Sequence, residues 1–359
     1  MKAQRYRILG LDVVLSSDCG TFLEMFHMDH AFFAVPEPLG DRCLSVDYRN
    51  DSREGAALAM DGVTRSLAGS STPEHHAYQM MLNGIMKAVH GFVILHGGVV
   101  AGSDGRALAV CGPSGTGKTT LVTALLDAGF QFLSDDYCPI HEGTRRVHPY
   151  PRTMWRVRND GEPKARESGL RGHAPARMHP GKAPVPLDFR KVRIASEPCE
   201  LGSLVTLDPG EAEDPWCIIR LHLEKRGEER LLKAASNIEG ILVERIDAEA
   251  PVWAIRYRKR TGNVRKAASL LETVGTHAFS IARNHSRSPE FTKEPVLTRI
   301  SSHETAHFLL EELKREPEGL RVKPGRYFAK LVELLSAVPC WRLTTGNLDR
   351  MRDLAASTL

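Results

Sequence analysis

The chain has 359 residues, of which 42% are hydrophobic and 26% charged, with a formal net charge of +4. Those proportions exclude a disordered polymer, which could not bury a core, and a multi-span membrane protein; acidic and basic residues interleave, so no block of one sign asks for nucleic acid. Seven cysteines, odd in number and without metal-ligand spacing, read as reduced thiols packed as small apolar groups.

The opening run MKAQRYRILGLDVVLSS is broken by Asp12 and lacks the apolar core of a secretory signal. No later run reaches the roughly 20 apolar residues of a membrane helix. A cytoplasmic protein with no membrane partner is therefore expected. Short apolar runs at Tyr6–Val14, Ala31–Val35 and Leu44–Val46, separated by Pro36, Gly40 and Asn50, predict a strand-rich segment over about residues 1–70. Thr72 and Pro73 then resemble a helix start, and Met80, Met81, Ile85, Met86 and Val89 follow at helical spacing. His27 and His30 stand one turn apart, but no second pair accompanies them to complete a metal site.

From Gly91 the texture is that of a buried sheet. Phe92–Leu95 reads as a strand ending at His96, and Val99–Ala101 and Ala107–Cys111 flank Asp104-Gly105, a tight-hairpin signal. A helix over Leu121–Ala128 is stopped by Gly129 in a left-handed conformation, and Phe130–Leu133 is a strand that delivers Asp135 and Asp136 at its tip. Residues 158–184, rich in Gly, Pro, Arg, Lys and His without apolar periodicity, read as a mobile loop, either a solvated linker or a flap. Beyond them, Cys199–Leu207, Trp216–Leu223 and Ile241–Val243 are expected as strands, and Arg265–Val274, His303–Glu312 and Arg326–Val338 as helices.

Gly112-Pro113-Ser114-Gly115-Thr116-Gly117-Lys118-Thr119 satisfies GxxxxGK(S/T) in full. Glycines at this spacing let the backbone curl so that successive N–H groups face phosphate oxygens, and the helix opening at Lys118 adds the positive end of its dipole. Lys118 is expected on the outer phosphates and Thr119 on Mg2+, with Thr120 beginning the helix proper. A parallel sheet would bring Asp135 and Asp136 beside this loop, one to hold magnesium and the other to take the proton of an attacking hydroxyl. His96 points to the same edge, as an aid to the acids or a contact to phosphate. Arg152 or Arg156 could neutralise charge on a transferring phosphoryl group.

Leu95-His96-Gly97, the glycine-rich loop and Phe132-Leu133-Ser134-Asp135-Asp136, in that order, resemble the HPr serine kinase group and its relatives. The resemblance is specific over about residues 91–157. It implies an α/β fold with a P-loop nucleotide-binding domain of the HPr kinase and phosphoenolpyruvate-carboxykinase-like type, ATP and Mg2+ as cofactors, and catalytic roles for His96, Lys118, Asp135 and Asp136. Founding members phosphorylate a serine on the carrier protein HPr and assemble into hexamers, so a homo-oligomer is compatible with it. Two departures stand out. Thr120 occupies the position where bifunctional relatives carry an acid, which speaks against phosphorylase activity, and His148-Pro149-Tyr150-Pro151-Arg152 replaces their glycine-rich second signature.

The domain division expected is an N-terminal α+β segment (1–90), a P-loop core (91–157), the loop 158–184, and a mixed α+β part (185–359) that completes the kinase domain and recognises the acceptor. The function expected is transfer of the γ-phosphoryl group of ATP to a hydroxyl, on serine of an unidentified protein or peptide. A small-molecule hydroxyl kinase and an ATP-binding regulatory protein without phosphotransfer are the alternatives.

Overall fold

The structure is a computed structural model and describes residues 2–36, 40, 43–51, 55–67, 73–113, 115–157, 182–184, 192–209, 216–223, 225–235, 238–245, 252–258, 263, 266–267, 269–270, 280–284, 292–312 and 324–359. It is a mixed α/β protein. Residues 158–181, with Thr72 and Ser114, lie outside the described residues.

The first apolar run is a hairpin. Leu9 and Gly10, both at positive φ (50° and 79°), turn β1 (Lys2–Ile8) into β2 (Leu11–Ser17). This is the left-handed pair that a two-residue turn between right-twisted strands requires. Helix α1 (Gly20–His30) follows, burying Phe22, Leu23, Met25 and Phe26. Sequence analysis does not anticipate this helix, and the run Ala31–Val35 read as a strand is a 3-10 turn over Ala31–Phe33 with one bridge from Ala34 to Tyr6. Strands β3 (Cys43–Asp51), β4 (Gly55–Met60) and β5 (Val63–Ser66) complete a five-stranded sheet in the order β1-β2-β3-β4-β5, with β2 and β3 parallel. Helix α2 (Pro73–Ala88) begins on its proline as expected, and buries Ala77, Tyr78, Met81, Leu82 and Ile85 in the same core as α1.

The second sheet carries the glycine-rich loop. Its members are β6 (Phe92–Leu95), β7 (Gly97–Ala101), β8 (Arg106–Cys111), β9 (Gln131–Ser134), β10 (Cys138–His141), β11 (Arg146–Val147), β14 (Cys199–Asp208), β19 (Leu297–Ile300) and β20 (Cys340–Thr344). Strands β12 (Trp155–Val157) and β13 (Lys182–Pro184) form a separate antiparallel pair. Helix α3 (Lys118–Asp127) packs Leu121, Val122 and Leu125 on one face of the sheet, together with Met351 and Ala355 of the last helix, Leu348–Ala356. The other face is covered by Ala306 and Leu309 from Ser302–Glu312 and by Leu331, Leu334 and Leu335 from Pro324–Leu335. Both faces being covered explains the continuous apolar runs of β8 and β14, which lie parallel and side by side.

A third sheet, in the order β16-β17-β15-β18, is built from β15 (Trp216–His222), β16 (Ile241–Arg245), β17 (Val252–Arg258) and β18 (Ser280–Asn284). Helix α4 (Lys225–Ala235) contributes Leu231 to its core, beside Trp253, Ile255 and Tyr257. The later helices are α5 (Ser302–Glu312), α6 (Pro324–Leu335) and α7 (Leu348–Ala356). Within the expected helix Arg265–Val274, residues 266, 267, 269 and 270 are described and helical. No helix among the described residues is long and apolar enough to cross a membrane.

Candidate functional site

The glycine-rich loop leaves the end of β8 and enters α3. Gly115 and Gly117 take φ of 86° and 92°, a conformation in which a side chain would be strained. Gly117 is also the N-cap of α3, so no side chain caps the first turn, and that turn carries no acid. The first N–H groups of a helix have no partner within it, and here nothing of the helix's own competes with an incoming anion for them. Lys118 is buried. Its ammonium donates to the carbonyls of Gly112 (2.8 Å) and Pro113 (3.0 Å), which keeps the charge inside the loop. Thr116 Oγ1 donates to the Pro113 carbonyl at 2.8 Å and braces the same turn.

Topology brings the acids to this loop by a different route from the one expected. The sheet here is mixed, not parallel. Strand β7 lies between β8 and β9 and runs antiparallel to both. The end of β8, the beginning of β7 and the end of β9 therefore fall on one edge of the sheet. Cys111 is paired with Gly97, so His96 and Gly112 are the next residues out, and Ser134 is paired with Val99 just before the two aspartates. The Val99–Ser134 pair of β7 with β9 and the Leu95–Cys138 pair of β6 with β10 share the same offset. The ribbon is bent in between, where Asp136 takes a φ of 71°. Aspartate tolerates the left-handed region better than most residues, yet strain there is the kind that collects at functional sites.

Thr119 Oγ1 donates to Asp135, at 3.1 Å from Oδ2 and 3.4 Å from Oδ1. Asp135 is 4% exposed. Burial first and the neighbouring Asp136 second push its pKa up to about 7, against the pull of the Thr119 hydroxyl and the Lys118 charge. A buried carboxylate in this condition gains from any cation brought to it. Asp136 is half-buried, and its carbonyl accepts from His96 Nδ1 at 3.0 Å. A carbonyl only accepts, so the His96 proton is on Nδ1, and in the neutral ring Nε2 is an acceptor. Thr120 is exposed on the first turn of α3.

Two successive glycines, Gly97 and Gly98, make this closeness fit. A Cβ on Gly98 would lie 2.6 Å from Val122 Cγ2 and 3.2 Å from Asp135 Oδ1; one on Gly97 would lie 2.7 Å from the Val110 carbonyl oxygen. The available signal was the Gly-Gly pair beginning a strand, where glycine marks the close approach of another group.

Arg152 has other partners than a phosphoryl group. Its guanidinium is buried, 2.9 Å from Asp29 Oδ2 and 2.7 Å from the Tyr78 hydroxyl, and the Tyr78 hydroxyl also bonds Asp29. Burial alone would raise the Asp29 pKa, but Arg152 and the surrounding donors hold it below the usual carboxylate value. Arg152 is thus engaged by a buried carboxylate and a tyrosine hydroxyl. The side chain of Arg156 lies outside the described residues. His30 is committed as well, through Nδ1 to the Phe26 carbonyl and Nε2 to the Tyr150 hydroxyl, each 3.2 Å, while His27 Nδ1 meets the Tyr6 hydroxyl at 3.3 Å.

A comparison with models of known protein families finds no match, and neither does a comparison with curated proteins.

Proposed function

We propose that the chain is an ATP-dependent kinase that transfers the γ-phosphoryl group to a hydroxyl, on serine of a protein or peptide, in the cytoplasm. On the same reading the loop-bearing sheet with its helices is a P-loop domain of the HPr kinase and phosphoenolpyruvate-carboxykinase-like type. The observation that carries it is the convergence on one sheet edge of an uncapped helix start, a buried lysine in a glycine-rich loop, and Thr119 hydrogen-bonded to a buried aspartate.

The donor set fits a magnesium nucleotide. The N–H groups of the loop and of α3 would bind the polyphosphate, and Lys118 would turn from its carbonyls to the outer phosphates. Thr119 and one of the two aspartates would hold magnesium, which when bound neutralises charge on the phosphates. Asp135 is the residue for that duty because it already shares a hydrogen bond with Thr119. Asp136, more exposed, is left to orient the acceptor hydroxyl and take its proton. His96 holds the Asp136 carbonyl and thereby the turn.

The test is calorimetric titration with Mg-ATP together with transfer of label from γ-labelled ATP to a peptide mixture. Lys118→Ala is expected to weaken binding at least tenfold. Asp136→Asn is expected to leave binding within a few fold and to reduce transfer by about 10²–10⁴. Binding without transfer in the unaltered protein would move the assignment to a nucleotide-binding regulator.

A further inference from the structure

The turn holding Asp135 and Asp136 is gripped from both sides by one short segment, Tyr150–Arg152. On the near side, Tyr150 runs beside the end of β9: its N–H donates to the Leu133 carbonyl at 2.8 Å, and it bridges Ser134 in parallel. On the far side, the Tyr137 ring lies against Tyr150, with centroids 5.5 Å apart, and under the Arg152 guanidinium at 5.4 Å. Ser134 Oγ donates to the Tyr137 carbonyl and closes the turn across its mouth.

That segment is in turn fastened to the N-terminal helices. Tyr150 bonds His30 of α1, and Arg152 bonds Asp29 of α1 and Tyr78 of α2. Tyr150 is itself part of the N-terminal core, with the Phe33 ring tilted against it at a centroid distance of 5.0 Å. An unbroken chain of contacts therefore runs from α1 and α2, through Tyr150 and Arg152, to the residues immediately before and after the acid pair. A turn with a left-handed aspartate stays in place only where its surroundings over-determine it, and these are the surroundings.

We infer that Arg152, with Asp29, Tyr78 and Tyr137, is a positioning device through which the N-terminal helices set the geometry of Asp135 and Asp136. Arg152 acts on the acids through Tyr137 and does not touch the reacting groups. Tyr137 is the joint: removing its ring uncouples the turn while leaving the Arg152–Asp29 ion pair whole. The kinetic part of this inference rests on the kinase reading; the structural part does not.

The experiment compares the full-length protein with Tyr137→Ala, Tyr137→Phe, Arg152→Lys and Asp29→Asn. One readout is amide hydrogen exchange over residues 131–141 without nucleotide. The other is steady-state hydrolysis of Mg-ATP with water as acceptor. Tyr137→Ala is expected to speed exchange at residues 134–137 at least tenfold and to lower kcat at least tenfold, with KM for ATP within twofold. Tyr137→Phe should behave as the unaltered protein, and Arg152→Lys, which keeps the positive charge beside Asp29, should lose less than Asp29→Asn. Native exchange at 134–137 in folded Tyr137→Ala overturns the inference, and so does a loss confined to KM. If the unaltered protein neither binds nor hydrolyses Mg-ATP, the kinase reading fails while the exchange readout still decides the positioning claim.

Discussion

Asp135 keeps its carboxyl in a place from which water is nearly excluded, held by Thr119 on one side and crowded by Asp136 on the other. Gly98 is what makes room for it. Gly98→Ala would push a methyl into Val122 and the Asp135 carboxyl, and overpacking of this kind costs about 1–3 kcal/mol; the expected outcome, read by denaturant unfolding and by labelled transfer, is a destabilised protein with little activity. A second residue-scale prediction concerns His30. Burial first, and Arg152 second, push its pKa down to about 3, so the ring is neutral in the folded chain at any ordinary pH. When unfolded it binds a proton below its usual value of 6.5. Its contribution to stability is therefore present above pH 6.5 and lost as pH falls towards 3, with about 2 kcal/mol gone by pH 5. Asp29, also lowered, adds its own loss only below the ordinary carboxylate range. His30→Gln is expected to be less stable at pH 7.5 and to close the gap on the unaltered protein by that amount at pH 5, as read from denaturant midpoints.

Among the elements, α3 joins the loop to the core, and both its ends were legible because their signals are local. Gly117 and Lys118 open it. Gly129, at φ 96°, closes it, with the Gly129 and Phe130 N–H groups donating to the Leu126 and Leu125 carbonyls, the paired bonds of a left-handed helix stop. Gly129→Ala keeps those bonds but strains the backbone, for a loss of about 1 kcal/mol in the unfolding free energy. Leu125→Ala empties a site where α3 meets the sheet and is expected to lose about 2–5 kcal/mol. Strand β7 is specified less locally. Its hairpin with β8 follows from Asp104-Gly105, but that it also pairs with β9, and so separates the two parallel strands while bringing His96 to their tips, is a long-range choice that no local pattern encodes.

At the scale of the molecule, residues remote in sequence complete what the motif begins. The sheet that bears the loop takes β14, β19 and β20 from residues 199–344, and the N-terminal core takes Tyr150 from the segment after the acids. Arg152 shows why a motif-centred reading stops short. A positive residue close in sequence to the acids suits phosphoryl chemistry, but its partners, Asp29 and Tyr78, are 123 and 74 residues away. Removing residues 2–88 would leave Arg152 buried or exposed without its carboxylate and uncover Tyr150, and breaking a buried pair from one side costs about 3–5 kcal/mol. The remainder is expected to lack a cooperative unfolding transition, as followed by circular dichroism on heating.

The central claim is that the loop from Gly112 to Thr119 grips a polyphosphate next to Asp135. Titration calorimetry of the folded full-length protein with Mg-ATP measures this directly. The expected result is saturable one-to-one binding that Lys118→Ala weakens at least tenfold; heat of dilution alone from the unaltered protein, or equal binding by both, would contradict it.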